Sequence, residues 1–187
     1  FYEIYNAGQF FHFAELVNSG ATTIKGKLMA DITVNEALYK ENGSLLDEED
    51  LKAWTPIGSE TVKFEGEFDK KKKKIINLYL NDTEAYYVGL FGYVNNASIY
   101  DVTIKDSYIS GYQYVGSIAG YAKGSNIKNC VNESKIKNWE NGYTTDFKPN
   151  ELAELARVLE IDSAMLLYKE NVRIPEGYTS IKSFAFD

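Results

Sequence analysis

The sequence predicts a mainly β protein built around a parallel β-helix, or solenoid, with an N-terminal capping helix and a small α-containing C-terminal segment. Three observations carry this prediction. A stretch recurs, Tyr87-Val-Gly-Leu-Phe-Gly-Tyr93 and then Tyr114-Val-Gly-Ser-Ile-Ala-Gly-Tyr121, with a spacing that drifts from 27 to 28 residues. A second pattern follows each copy, Ile99-Tyr-Asp-Val-Thr-Ile104 and Ile127-Lys-Asn-Cys-Val-Asn132, and Ile75-Ile-Asn-Leu-Tyr-Leu80 reads as an earlier copy 24 residues upstream. Short β-type runs with glycine at such a period suit one coil per repeat, because a single coil leaves an apolar face that only a neighbour can cover.

The elements follow in chain order. Asn6 with Gln9 three residues later is a capping-box pattern, and Phe10, Phe13, Ala14 and Val17 fall on one helical face. Gly20 suits a left-handed stop. This helix is expected to cover the open end of the solenoid, with His12 on its solvent side. Residues 22–34 alternate enough for one or two strands. Residues 41–54 form an acidic insertion in which Ser44, followed by Asp47-Glu-Glu-Asp50, would open a short helix. Lys70, Lys71, Lys72, Lys73 and Lys74 are expected at a loop tip between two strands.

Strand parity predicts the packing. Leu78 and Leu80 share a face, as do Val102 and Ile104, whereas Ile75 and Ile99 stand an odd interval before them. The chain must therefore bend at Asn77, Asp101 and Asn129, residue types that tolerate left-handed corners and can bond along a stack. Ile75, Ile99 and Ile127 would form one column and Leu78, Val102 and Cys130 the next, which makes Cys130 a buried, inert thiol. Leu152, Leu155, Ala156 and Leu159, after Pro149, have helical spacing and would close the other end. The expected division is a cap helix at 1–20, a β-helix at 21–140, and a helical linker with one leucine-rich-repeat-like unit at 141–187.

Composition limits function. The 187 residues carry a net charge of −7, which argues against nucleic acid as a partner. No apolar run has the ~20 residues a membrane helix requires. One cysteine and one histidine exclude a disulfide framework and a multi-histidine metal site, so no metal or cofactor is expected. The chain starts at Phe1, inside a patterned segment and without a methionine, which predicts a mature product or a piece of something longer.

Five pieces in order resemble GLUG-motif bacterial surface proteins: Phe13-Ala-Glu-Leu-Val-Asn-Ser-Gly20, Ala30-Asp-Ile32, Trp54-Thr-Pro-Ile-Gly58, Phe64-Glu-Gly-Glu-Phe-Asp69 and Val88-Gly-Leu-Phe-Gly92. The resemblance covers about residues 4–136 and implies a secreted or wall-attached bacterial protein with a right-handed parallel β-helix. Such segments also occur in immunoglobulin A peptidases, outside the zinc-protease part. The family has a Gly/Asn-rich turn after the Phe-Asp pair, where this chain has its lysine run. Residues 172–186 resemble one unit of BspA-like leucine-rich repeats, found on similar surfaces.

Together these features predict a non-catalytic, monomeric extracellular module with an adhesive or spacer role, whose partner is a glycan or a host surface protein. The candidate contact residues are the equivalent pairs Tyr93/Tyr121 and Tyr87/Tyr114, with the lysine run as a second surface and Tyr100 and Tyr108 as further candidates. Equivalent tyrosines are expected to share exposure. The alternative is a polysaccharide-cleaving enzyme of the β-helix type, with Asp101, Lys105, Asp106 and Lys128 converging in a cleft.

Overall fold

A computed structural model describes residues 1–69, 71–138 and 143–144. The chain divides into two compact units, Phe1–Asn141 and Gly142–Asp187. The helix expected around Leu152–Leu159 and the repeat-like tail lie outside the described residues.

The first unit is mainly β, with one α-helix. Its elements are β1 (Tyr2–Ile4), α1 (Ala7–Asn18), β2 (Lys25–Leu28), β3 (Ile32–Thr33), β4 (Glu67–Phe68), β5 (Lys74–Ile76), β6 (Tyr79–Asn81) and β7 (Tyr86–Val88). There follow β8 (Phe91–Asn95), β9 (Ser98–Tyr100), β10 (Thr103–Gly111), β11 (Gln113–Val115), β12 (Ala119–Lys123), β13 (Asn126–Lys128) and β14 (Val131–Asn138). They build four sheets: β1–β2–β4–β9–β13; β3–β5–β10–β14, with β6 also on β10; β7–β11; and β8–β12. Every pairing between these strands is parallel. Sequence neighbours such as β9 and β10 thus belong to different sheets, and β9 to β14 each pair with a strand that lies well before them in the chain. Parallel partners need long connections, and here the connection is itself made of strands.

The register fixes the columns. Tyr2, Gly26, Phe68, Ile99 and Ile127 stand side by side in the first sheet. Ile32, Ile75, Ile104 and Asn132 do so in the second. Ile99 over Ile127 is as predicted, but Ile75 belongs to the Ile104 column and Phe68 takes the place assigned to it. Both sheets carry an isoleucine at the centre of a short polar-flanked strand, Ser98-Ile-Tyr100 and Thr103-Ile-Lys105. A pattern match alone therefore chose the nearer of two equally apolar slots. Leu78 moves with Ile75: its N–H donates to Ser107 Oγ at 2.9 Å rather than standing under Val102. Val102 and Cys130 remain neighbours, since Thr103 pairs with Val131.

The corners are left-handed as expected, with φ of 55° at Asn77, 57° at Asp101 and 55° at Asn129. They make two ladders rather than one. Asn129 Nδ2 donates to Asp101 Oδ1 at 3.0 Å. Asn77 instead pairs with Asn35: Asn77 Nδ2 donates to the Asn35 carbonyl at 2.9 Å and Asn35 Nδ2 to the Asn77 carbonyl at 3.0 Å.

The apolar side chains point between the sheets, and the core changes character along the stack. Near α1 it is aromatic, with Phe10, Phe13, Phe64, Phe68 and Phe91 fully buried. Further on, Ile104, Ile109 and Val102 fill it, followed by the part-buried Val115, Ile118 and Ala119.

Helix α1 closes the aromatic end. Asn6 Oδ1 accepts the Gln9 N–H at 3.0 Å, and Gln9 Oε1 accepts the Tyr5 N–H at 2.8 Å, one residue before the amide a capping box would use. The four predicted positions are its buried ones. Phe10 stacks on Trp54 at 4.4 Å and 12°, and Phe13 packs on Phe68 at 5.4 Å. Gly26 makes the room: a Cβ there would lie 2.8 Å from both the Phe13 and Phe68 rings. His12 is exposed, 3.5 Å from Glu15. The cap is more than a helix, because β1 just before it starts the first sheet.

The acidic insertion forms a single 3-10 turn, Glu48–Asp50, with no side-chain cap at Asp47. Ser44 does not open it; its Oγ donates to Asn42 at 2.7 Å. Glu48 instead clamps the insertion to the sheet, accepting Tyr79 OH and Asn81 Nδ2, each at 3.0 Å. Beneath it Leu38, Leu51, Tyr79 and Tyr108 form a separate small core. Tyr108 is therefore buried and is no contact candidate.

Two outcomes test this packing. Phe13→Ala should cost about 3–5 kcal/mol by leaving a cavity under the helix, and Gly26→Ala about 1–3 kcal/mol by overpacking the same spot. Denaturant unfolding checks both; losses under 0.5 kcal/mol would remove α1 from its role as a lid. The second concerns Cys130, which is half-buried rather than fully enclosed because it lies on the outermost described pass. Burial raises its pKa most, opposed by the Val102 backbone and reinforced by Asp101 and Asp69. The neutral thiol is thus favoured by folding. Its contribution to stability is complete below the unfolded thiol pKa and is lost as pH rises through the folded one. At pH 8 the folded protein should react with a thiol reagent more slowly than the unfolded chain, and equal rates would contradict the placement.

Candidate functional site

The four repeat tyrosines form one surface cluster. Gln113 pairs with Tyr86 and Val115 with Val88, which sets Tyr114 beside Tyr87 on adjacent passes. The two rings stack at 4.9 Å and 5°. Tyr121 pairs directly with Tyr93, and those rings lie 4.7 Å apart at 45°. The pairs touch each other: Tyr87 is 5.5 Å from Tyr93, and Tyr114 meets Tyr121 edge-on at 5.7 Å and 84°. Offset and edge-to-face pairs of this kind are worth about 0.5–1.5 kcal/mol beyond their area.

Backbone geometry brings the pairs together. Tyr87 and Tyr114 have φ of 59° and 55°, in the left-handed region. Most other non-glycine residues there are Asn or Asp, which bond locally to offset the strain. A tyrosine has no such recourse and costs roughly 1–2 kcal/mol at each position. The left-handed step turns the ring out while Val88 and Val115 face the core side. Glycine does the rest. Gly92 and Gly120 immediately precede Tyr93 and Tyr121. A Cβ at Gly92 would lie 2.8 Å from the Tyr87 carbonyl oxygen, and one at Gly120 would collide with that of Tyr114. The Gly-to-Tyr spacing of the repeat thus presses the second strand against the first and lays the four rings side by side.

Exposure is unequal within each pair, contrary to expectation. Tyr114 and Tyr121 are 41% and 37% exposed, whereas Tyr87 and Tyr93 are half-buried. The reason is a loop from the preceding pass. Ile57 bridges to Phe91 and Phe64 to Val94, so Ser59–Lys63 lies over the earlier pair. Lys63 Nζ sits 5.1 Å from the Tyr93 ring centre. The Tyr87 hydroxyl is pushed above its usual pKa, first by burial and then by the charge of Glu60.

Loop and rings border an open groove of about 550 Å³, with Ser59–Thr61 on one side and Tyr86, Tyr87, Gln113 and Tyr114 on the other. Tyr86 is 53% exposed and meets Tyr112 edge-on at 5.3 Å. The repeat pointed to Tyr87 and Tyr114, but it carried no sign of Ser59–Thr61. The insertion before that loop breaks the period by which its coil could have been aligned.

The other candidates lie elsewhere. Lys71–Lys73 lie between β4 and β5, Lys74 is the first residue of β5 rather than part of a loop tip, and none lines the groove; Lys70 is outside the described residues. Lys71 N–H donates to Asp69 Oδ1 and Lys74 N–H to Asp31 Oδ1, both at 2.9 Å, so acidic side chains hold the run's backbone. Tyr100 is half-buried and its hydroxyl accepts Asn126 Nδ2 at 3.1 Å. Asp101 is engaged by Asn129, and Asp106 by Lys105 at 3.5 Å, at two different corners. Among the described residues, no three His, Cys, Asp or Glu side chains are grouped to hold a metal ion, and no helix is long and apolar enough to cross a membrane. Compared with known proteins, the chain matches no family model, no curated protein and no solved structure.

Proposed function

We propose that this chain is a parallel β-helix module of a bacterial cell-surface protein, and that it acts by binding rather than by catalysis. The coil reading is supported by four parallel sheets in which later strands pair 28 residues apart, as Phe91 with Ala119 and Ser98 with Asn126. The extracellular, adhesive reading rests on the GLUG resemblance over about residues 4–136.

The observation that carries the binding role is the tyrosine cluster. Two rings in a strained backbone conformation persist side by side, at equivalent positions of two passes, on a surface rather than in the core. Strain of this kind concentrates where geometry serves recognition. Flat rings with hydroxyl tips are common contact surfaces, because they offer a large rigid area at low entropic cost. A spacer alone has no use for them.

The test is an array of glycans and host surface proteins probed with the intact chain and a Tyr93→Ala, Tyr121→Ala double variant. Both positions lie in a regular strand and are part-exposed, so the melting temperature should stay within a few degrees while bound signal falls at least tenfold. No signal from the intact chain on any surface would leave the spacer role alone.

A further inference from the structure

Resting on that reading, we propose that the groove beside the tyrosine cluster is a subsite for an uncharged oligosaccharide, and that Glu60 excludes anionic glycans from it. The groove's volume of about 550 Å³ falls within the range of small-ligand sites. Its apolar surface comes from the rings of Tyr86, Tyr87 and Tyr114, and no Leu, Ile or Val among the described residues lines it. Flat rings fit the C–H face of a pyranose. A peptide's Leu or Val would need an aliphatic pocket, which this groove lacks.

The polar groups are those a sugar requires. Ser59 Oγ and Thr61 Oγ1 lie 3.2 Å apart at the opposite wall, and Gln113 closes one side. Hydroxyl and amide groups both donate and accept, as sugar hydroxyls do. The loop that carries them is braced, with Ser59 N–H donating to the Val62 carbonyl at 2.8 Å and Val62 N–H to Ser59 Oγ at 3.1 Å. The wall is therefore held in place before any ligand arrives.

Charge sets the selectivity. Among the described residues, Glu60 is the one charged residue lining the groove, and the whole chain carries −7. A uronate or sulfate in the groove would lie within a few ångströms of the Glu60 carboxylate, close enough for repulsion that salt weakens but does not abolish. Lys63, the nearest lysine along the loop, is held over Tyr93 and does not line the groove.

The experiment titrates the intact chain with cellohexaose, chitohexaose and mannohexaose as uncharged probes and with hexagalacturonate as the anionic one, by calorimetry and by tyrosine fluorescence. At least one uncharged hexamer should bind ten times or more tighter than hexagalacturonate. Glu60→Gln should shrink that gap at least threefold by admitting the uronate. Tyr114→Asn removes a ring while suiting the left-handed backbone, and should weaken the uncharged hexamer at least tenfold with the melting temperature retained. Equal or tighter binding of hexagalacturonate, an unchanged gap in Glu60→Gln, or full affinity in Tyr114→Asn would each overturn the proposal. Failure of all four probes, with array binding still lost in the Tyr93/Tyr121 double variant, would overturn this ligand class and leave the binding-module reading standing; a protein captured there would then be the partner.

Discussion

The structure depends on how closely successive passes of the chain approach each other. Parallel hydrogen bonding sets strands roughly 4.8 Å apart, but where two strands of one pass meet at a corner the backbones come closer still. At Gly66, Gly89, Gly92 and Gly120 an added Cβ would strike a carbonyl oxygen of another segment, and at Gly116 that of Ala119 across the same turn. Gly89 and Gly116 stand in the short connections between strands, and Gly92 and Gly120 inside β8 and β12, where the backbones pass closest. Without them each corner would need a loop, and the rungs would lose the register that carries the columns. The left-handed Asn and Asp corners serve the same end where a polar side chain can help. Asn129 on Asp101 and Asn77 with Asn35 tie neighbouring passes as well as turning the chain.

The two ends of the described stack are treated differently. At the N-terminal end the core is a set of phenylalanines that no single strand could cover, and α1 covers it with Phe10 and Phe13. Gly26 lacks a side chain so that Phe13 and Phe68 can meet above it. The lid and the rung beneath it therefore depend on one another, although the residues are far apart in sequence. The insertion between β3 and Trp54 does the same for one lateral face, through Glu48 and the small core around Tyr79 and Tyr108. This second cover leaves the tyrosine cluster as the aromatic surface that nothing in the described residues encloses, although Ser59–Lys63 shields half of it.

Much of this was legible in the sequence, and the failures have identifiable causes. The helix was readable because its cap, apolar spacing and glycine stop all agree. The tyrosine pairs were readable because Gly-to-Tyr spacing survives in both copies with only one inserted residue. The left-handed corners followed from parity at Asn77, Asp101 and Asn129. The column of Ile75 was not readable, because two sheets use isoleucine in the same local pattern and only the hydrogen-bond register separates them. Phe68 was hidden because the segment carrying the lysine run sets it 31 residues before its partner Ile99, outside the 24–28-residue spacing of the other copies. The groove wall at Ser59–Thr61 was hidden by the insertion, which stretches the distance between Gly26 and its partner Phe68 to 42 residues. Insertions at corners leave packing intact and destroy period, so a periodic reading loses the coils that carry them.

The register is the claim on which everything else rests, since it places the tyrosines, the corners and the core. Its most direct measurement is the set of nuclear Overhauser contacts in solution between methyl groups of Ile75, Ile99, Ile104 and Ile127 and between the rings of Tyr87, Tyr93, Tyr114 and Tyr121. The account predicts contacts of Ile75 with Ile104, Ile99 with Ile127, Tyr87 with Tyr114 and Tyr93 with Tyr121. A strong Ile75–Ile99 contact, with none from Ile75 to Ile104, would contradict it.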